Sequence, residues 1–118
     1  MKYAFFVMLR ANTAWLALPR ARRRALADQH LGPILQAQQG RLRMRYFDAE
    51  AFTAQCSDVM MTETEDPKQH YFFMEQLRDS ALITHPYFEV LQIVPTIEEG
   101  YQAYEKETGQ DGNPAAET

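Results

Sequence analysis

From Tyr3 to Leu9 the chain is apolar on both alternations, with Tyr3, Phe5, Val7 and Leu9 on one side and Ala4, Phe6 and Met8 on the other. A strand with no polar face is buried on both sides. Ala11–Leu18 reads as a connection carrying Asn12, Thr13 and Trp15, and Pro19 suits a helix start, where its missing N–H costs nothing. The spacing of Ala27, Leu31, Ile34 and Leu35 marks a helical stripe, and the pattern predicts a helix over Arg20–Leu31. Gly32-Pro33 is expected to kink or restart it, because Pro33 cannot donate back to residue 29.

Arg41–Phe47 alternates cleanly. Leu42, Met44 and Tyr46 share one face, while Arg41, Arg43, Arg45 and Phe47 share the other, as in a half-buried strand at a sheet edge. Asp48–Gln55 is too long for a tight hairpin and has room for one helical turn capped by Asp48; Ser57–Thr64 is the next strand. Asp66-Pro67-Lys68-Gln69 is a helix start, with Asp66 as cap and Gln69 placed to complete a capping box. That helix carries Phe73, Leu77 and Ala81 and ends near Ser80–Ile83; Thr84-His85-Pro86 breaks the pattern, and Tyr87–Val94 is a strand. Thr96-Ile97-Glu98-Glu99 reads as a second capping box, opening a short helix with Ile97, Tyr101 and Tyr104 on one face.

The order is β-α-β-β-α-β plus a terminal helix, the split βαβ or ferredoxin-like arrangement. The expected fold class is α+β, with a four-stranded antiparallel sheet, helices on one face and the other face open. Apolar residues on both alternations of the first and last strands would leave that open face greasy in a monomer, and large exposed patches are unusual on monomers. Sheet-to-sheet pairing into a dimeric α+β barrel, with a cavity between the sheets, resolves this. The domain is expected over residues 1–107, and 108–118, with no apolar anchor, is expected to be a disordered tail.

Composition changes the picture little, and charge changes it more. The 118 residues are 46% hydrophobic and 24% charged, typical of one globular domain. The net charge of −4 hides an asymmetry. Residues 1–59 carry nine Lys/Arg and four Asp/Glu (+5), and residues 60–118 carry three and twelve (−9). A net acidic chain argues against nucleic acid as partner. The one cysteine, Cys56, precludes an intrachain disulfide and fits a reducing compartment. The N-terminal apolar run is too short for a membrane span. A cytoplasmic protein with no membrane contact is the expectation.

Candidate chemistry concentrates between Arg41 and Thr64. Arg43 and Arg45, two apart on one strand face, could hold a carboxylate or phenolate through their guanidinium forks; the plainer reading is a charged edge. Asp48 and Glu50 could divide acid and base roles, or simply cap and solvate a corner. Asp58 lies near the same corner as a pairing partner for the arginines, and Trp15 is placed to line a pocket or to cover the core. His85, in a loop before Pro86, is the one histidine suited to acid–base work. His30, His70 and His85 lack ligand spacing, so no metal is expected; the sequence leaves an axial haem role for a histidine open but carries no attachment motif, and no cofactor is expected. Arg20, Arg22, Arg23 and Arg24 oppose the helix dipole, and read as a solvated face, as a seat for an anionic partner or as a contact with the acidic half of another subunit.

The stretches Lys2–Arg10 with Trp15 and Leu16, Met44–Phe52, Cys56–Met60, Pro86–Val90 and Ile97–Tyr101 together resemble the darcynin family over residues 1–107. The resemblance implies a small protein of a family without an established function, similar to the dimeric α+β barrel superfamily. That superfamily includes cofactor-independent monooxygenases, lactone isomerases, haem-dependent enzymes and stress proteins. It carries over no catalytic residue, and a fold does not fix a function. The expectation is a homodimer binding a small apolar or aromatic molecule between its sheets. The alternatives are a cofactor-independent monooxygenase or isomerase acting on such a molecule, and a stress-type interaction protein without a ligand.

Overall fold

The computed structural model describes residues 1–112. Its elements, in chain order, are β1 (Tyr3–Ala11), α1 (Thr13–Leu16), α2 (Arg20–Ala37), β2 (Arg43–Asp48), β3 (Asp58–Thr64), α3 (Pro67–Asp79), α4 (Ala81–Thr84), β4 (Phe88–Ile97) and α5 (Gly100–Glu107). The four strands form one antiparallel sheet in the order β2-β3-β1-β4, the α+β arrangement that the alternation predicts. Val7 lies opposite Met60 on one side and Ile93 on the other, and Tyr46 lies opposite Met60 across β2 and β3.

This register sorts the side chains onto two faces, since successive residues of a strand alternate. Val7, Leu9, Met60 and Phe88 are buried under the helices, together with Ile34 of α2 and Phe73, Met74 and Leu77 of α3. Phe6, Met8, Val59, Met61 and Val94 fall on the other face, which no helix among the described residues covers. Arg43, Arg45 and Phe47 share that face, and the Arg45 guanidinium sits 5.2 Å from the centroid of the Phe47 ring.

Four local expectations are corrected. α2 runs unbroken from Arg20 to Ala37 with Pro33 inside it. Gly32 and Pro33 are both exposed, so the carbonyl that Pro33 cannot bond faces water. Asp48 is the last residue of β2 and caps no helix; the turn after it starts at Ala49, whose carbonyl accepts from Phe52 N at 2.9 Å. Asp66 does cap α3, its Oδ1 accepting from Lys68 N at 3.0 Å. The capping box is not made, however, and Gln69 Oε1 is buried without a hydrogen-bond partner. Thr96 and Ile97 extend β4, with Thr96 Oγ1 donating to Ala4 O at 2.6 Å, so the last helix opens only at Gly100. Thr108 and Gln110 close α5 by bonding Tyr104 O and Glu105 O; the rest of the expected tail, 113–118, lies outside the described residues. No helix among the described residues is long and apolar enough to cross a membrane.

A cavity between helix α2 and the sheet

The β2–β3 corner is built by a small set of fixed bonds. Ser57 N donates to Leu9 O at 2.9 Å, and Ala11 N donates to Ser57 Oγ at 2.7 Å, tying the start of β3 to the end of β1. Arg10 reaches across to the carbonyls of Ala54 and Gln55, at 3.2 and 2.8 Å, and pins the loop. The antiparallel register then sets Asp48 directly opposite Asp58. Directly opposed like charges are unfavourable in a sheet, yet Glu50 joins them. Carboxylate oxygens of Asp48, Glu50 and Asp58 all lie within 4.8 Å of one another, an arrangement able to share a cation.

Asp58 is the buried member. It accepts a 2.6 Å bond from Ser57 Oγ and a bond from the Tyr46 hydroxyl, both of which favour its charged form. Burial, seconded by the Asp48 and Glu50 charges, outweighs them and holds its carboxyl above the usual aspartate value. The Tyr46 hydroxyl is pushed far up, first by burial and then by the Asp58 charge, so it stays a phenol.

These groups form one end of a cavity of about 670 Å3 between α2 and the helix-side face of the sheet. Leu9, Met60, Leu77 and Phe88 make its floor, and Ala27 and Leu31 of α2 line the opposite side. Trp15 contributes to the wall, tilted against Phe88 at 4.8 Å and edge-on to Tyr87 at 5.4 Å. The first turns of α2 bring Arg20, Arg23 and Arg24 to the lining. Arg23 is committed to structure, donating to Leu16 O and Leu18 O at 2.7 and 3.0 Å. Arg20 and Arg24 are exposed, and among the described residues no ion pair joins these arginines to the carboxylates. The lining therefore carries three cationic and three anionic side chains that do not neutralise one another.

Of the residues singled out by sequence, Trp15, Asp48, Glu50 and Asp58 line this cavity. Arg43 and Arg45 lie on the open face, and His85 is exposed, stacked on Tyr87 at 4.0 Å outside the cavity. Tyr46, Ser57, Arg20 and Arg24 were missed as lining residues. Alternation along β2 offered a signal for Tyr46, since it puts Met44, Tyr46 and Asp48 on one face and Arg45 on the other. The cavity lies on the helix side, whereas the sequence pointed to the face between sheets.

A separate buried group sits toward the other end of the sheet. His70 on α3 stacks on Phe5 at 3.8 Å, and its Nδ1 lies 2.8 Å from Thr62 Oγ1. Burial lowers its proton affinity from an ordinary value of 6.5 to about 4. The unfolded chain therefore binds a proton between those values that the folded chain refuses. Stability is full above pH 6.5 and falls as the pH drops toward about 4. After discounting for solvent at the ring edge, the loss should be about 1–2 kcal/mol. Asp58 works with the opposite sign, its raised affinity favouring the folded state at low pH. Urea unfolding of the wild type and of His70→Phe, from pH 7 to pH 4, isolates the histidine. The wild-type excess loss should vanish in the variant; parallel curves would refute the assignment.

A family model described as darcynin, a domain of unknown function, matches residues 2–113. The darcynin of Chromobacterium violaceum is 51% identical over 69 residues, 58% of this chain and 87% of that protein. Darcynin 1 of Acinetobacter baumannii is 39% identical over 90 residues, 76% of this chain and 99% of that protein. Among solved structures, a heme-binding protein from Thermus thermophilus superposes with a TM-score of 0.71 at 20% identity, over 86% of this chain and 43% of that one. Chlorite dismutase from Candidatus Nitrospira defluvii, in complex with imidazole, gives 0.69 at 11% identity, over 87% and 43%. The chain thus spans less than half the length of these solved chains, and at such identities the likeness is one of fold: the chlorite dismutase-like α+β barrel fold.

Proposed function

Because the chain belongs to the darcynin family, whose matching description assigns no function, we propose its function from the cavity: it binds a small molecule with an apolar or aromatic body between α2 and the sheet. The observation that carries this reading is the apolar space of about 670 Å3, bordered by carboxylates and arginines that do not pair with one another. Ligand sites combine an apolar lining with a few convergent polar groups. Asp48, Glu50 and Asp58 suit an ammonium, Arg20 and Arg24 suit a carboxylate, and the apolar floor suits a ring or short chain beside them. A zwitterion with an apolar body satisfies all three.

The fold neighbour that binds heme raises the same group for this cavity. The donor set does not fit it. Among the described residues no histidine or cysteine lines the cavity, and Met44 and Met60, the thioethers that do, would need a histidine opposite them to hold a haem iron. The three carboxylates would also oppose a dianionic porphyrin. Homodimerisation through the open sheet face and a cytoplasmic location accompany the proposal. They are supported by the apolar residues on that face and by the single buried cysteine. An isomerase or cofactor-independent monooxygenase is the second reading. It draws on Tyr46 and Asp58, a hydrogen-bonded acid pair facing the same space.

The test is calorimetry and thermal shift with phenylalanine, phenethylamine, phenylpropionate and phenethyl alcohol. Binding should be strongest for the zwitterion and weakest for the alcohol, by about tenfold or more. Equal binding of the alcohol would remove the charged ends from the proposal, and no shift with any of the four would overturn it.

A further inference from the structure

Helix α5 buries none of its residues. Tyr101 and Tyr104, three apart and so on one helix face, are 62% and 58% exposed, and Ile97 just before them is 47% exposed. The turn that launches the helix is unusual. Glu99 holds φ at 49°, a left-handed conformation that costs a non-glycine residue energy and persists only where something fixes it. Within its own chain backbone bonds hold the turn, from Glu98 N to Lys2 O at 2.9 Å and from Gln102 N to Glu99 O at 3.0 Å, but α5 has no substantial packing on another element. The segment 98–107 is also acidic, with Glu98, Glu99, Glu105 and Glu107 against Lys106.

The same chain presents a surface of opposite character. On the open sheet face, Arg43, Arg45 and Phe47 are exposed, and Arg10 is exposed at the far end of β1. α5 follows β4 at one edge of the sheet, while Arg43 and Arg45 lie on β2 at the other edge. A second copy supplies what one chain withholds from itself.

We propose that α5 is an intersubunit arm. In the homodimer its Tyr101–Tyr104 face and its glutamates lie on the partner copy's open sheet face, against Phe47, Arg43 and Arg45. This rests on the sheet-face dimer proposed above and adds a second, separable contact to it. In an isologous pair the contact occurs twice. Full burial of a tyrosine covers about 150–250 Å2, and with Tyr101 and Tyr104 still 62% and 58% exposed four of them contribute on the order of 350–600 Å2 of the roughly 1,600 Å2 that a stable interface needs. The arm is thus a part of an interface and not the whole of one, which is why the sheet face must take part.

The experiment uses the full chain and light scattering after size exclusion. Wild type should run at twice the 13.7 kDa of one chain. Tyr101→Asp/Tyr104→Asp and Arg43→Glu/Arg45→Glu should each raise the dimer dissociation constant by about tenfold or more. The tyrosine pair should keep the wild-type circular dichroism and melting temperature in the monomer, because those side chains are exposed there; the arginine pair should keep the circular dichroism and melt somewhat lower, because Arg43 lies opposite Glu63. Arg43→Glu/Arg45→Glu should recover a dimer when mixed with Glu105→Lys/Glu107→Lys, since only the mixed pair sets opposite charges together. A wild-type dimer unmoved by both double substitutions, or no recovery on mixing, overturns the arm and leaves the sheet-face dimer standing. A wild-type monomer across the accessible concentration range overturns both.

Discussion

Replacing Phe73 by alanine should cost about 3–5 kcal/mol, the range for deleting a fully buried aromatic ring. Phe73 has no exposed surface, and sits in the core with Val7, Met60 and Leu77. A domain of this size is held by about 5–15 kcal/mol in total, so the substitution removes from a fifth to most of it. Each kilocalorie lowers the melting temperature by about 4–8 °C in a domain near this size. The control is the adjacent Phe72→Ala. Phe72 is 46% exposed and away from the sheet, and its loss should stay near 1 kcal/mol or below. Urea midpoints at unchanged slope give both numbers. A Phe73→Ala loss below about 1 kcal/mol would mean the core is not centred where α3 meets β1 and β3.

Most of the fold was legible because its causes are local. Clean alternation marked β2, apolar runs on both alternations marked β1 and β4, and Asp66-Pro67 marked the start of α3. The failures have one physical character: they depend on where water is. Pro33 interrupts a hydrogen bond but not the helix, because the orphaned carbonyl is on the wet side. Thr96 could cap a helix or satisfy β1, and pairing with Ala4 won. The candidate site was harder to read, because it is made by register and not by spacing. Asp48 and Asp58 are ten residues apart in sequence and meet only because the corner closes with Asp48 opposite Asp58. The arginines on β2 and those on α2 look equally free in the sequence. Only the packing of α2 over the sheet decides that Arg20 and Arg24, not Arg43 and Arg45, share a cavity with the carboxylates.

Filling that cavity should abolish binding without harming the fold. Ala27 sits on α2, half-buried, with its methyl group facing the space. Ala27→Trp projects an indole into volume that no side chain occupies. Overpacking costs about 1–3 kcal/mol where a core is full, but here the ring enters a gap, so the melting temperature should hold or rise. Affinity for the aromatic zwitterion should fall by about a hundredfold or more, the equivalent of some 2.7 kcal/mol. Asp58→Asn keeps the shape and removes a charge, and should weaken the amine-bearing probes while sparing phenylpropionate. Undiminished binding by Ala27→Trp would place the ligand elsewhere.

The two margins of the sheet are guarded by different means. β4 carries Pro95 opposite Phe5, and a proline has no N–H to offer an incoming strand. That edge is closed to templated growth by covalent structure, at any ionic strength. β2 is defended by exposed arginines, whose repulsion of a like strand weakens as the Debye length shrinks, from about 10 Å at 0.1 M salt to about 3 Å at 1 M. If copies of this chain pair edge to edge under salt, they should do so through β2, and with β4 closed the pairing should stop at two copies.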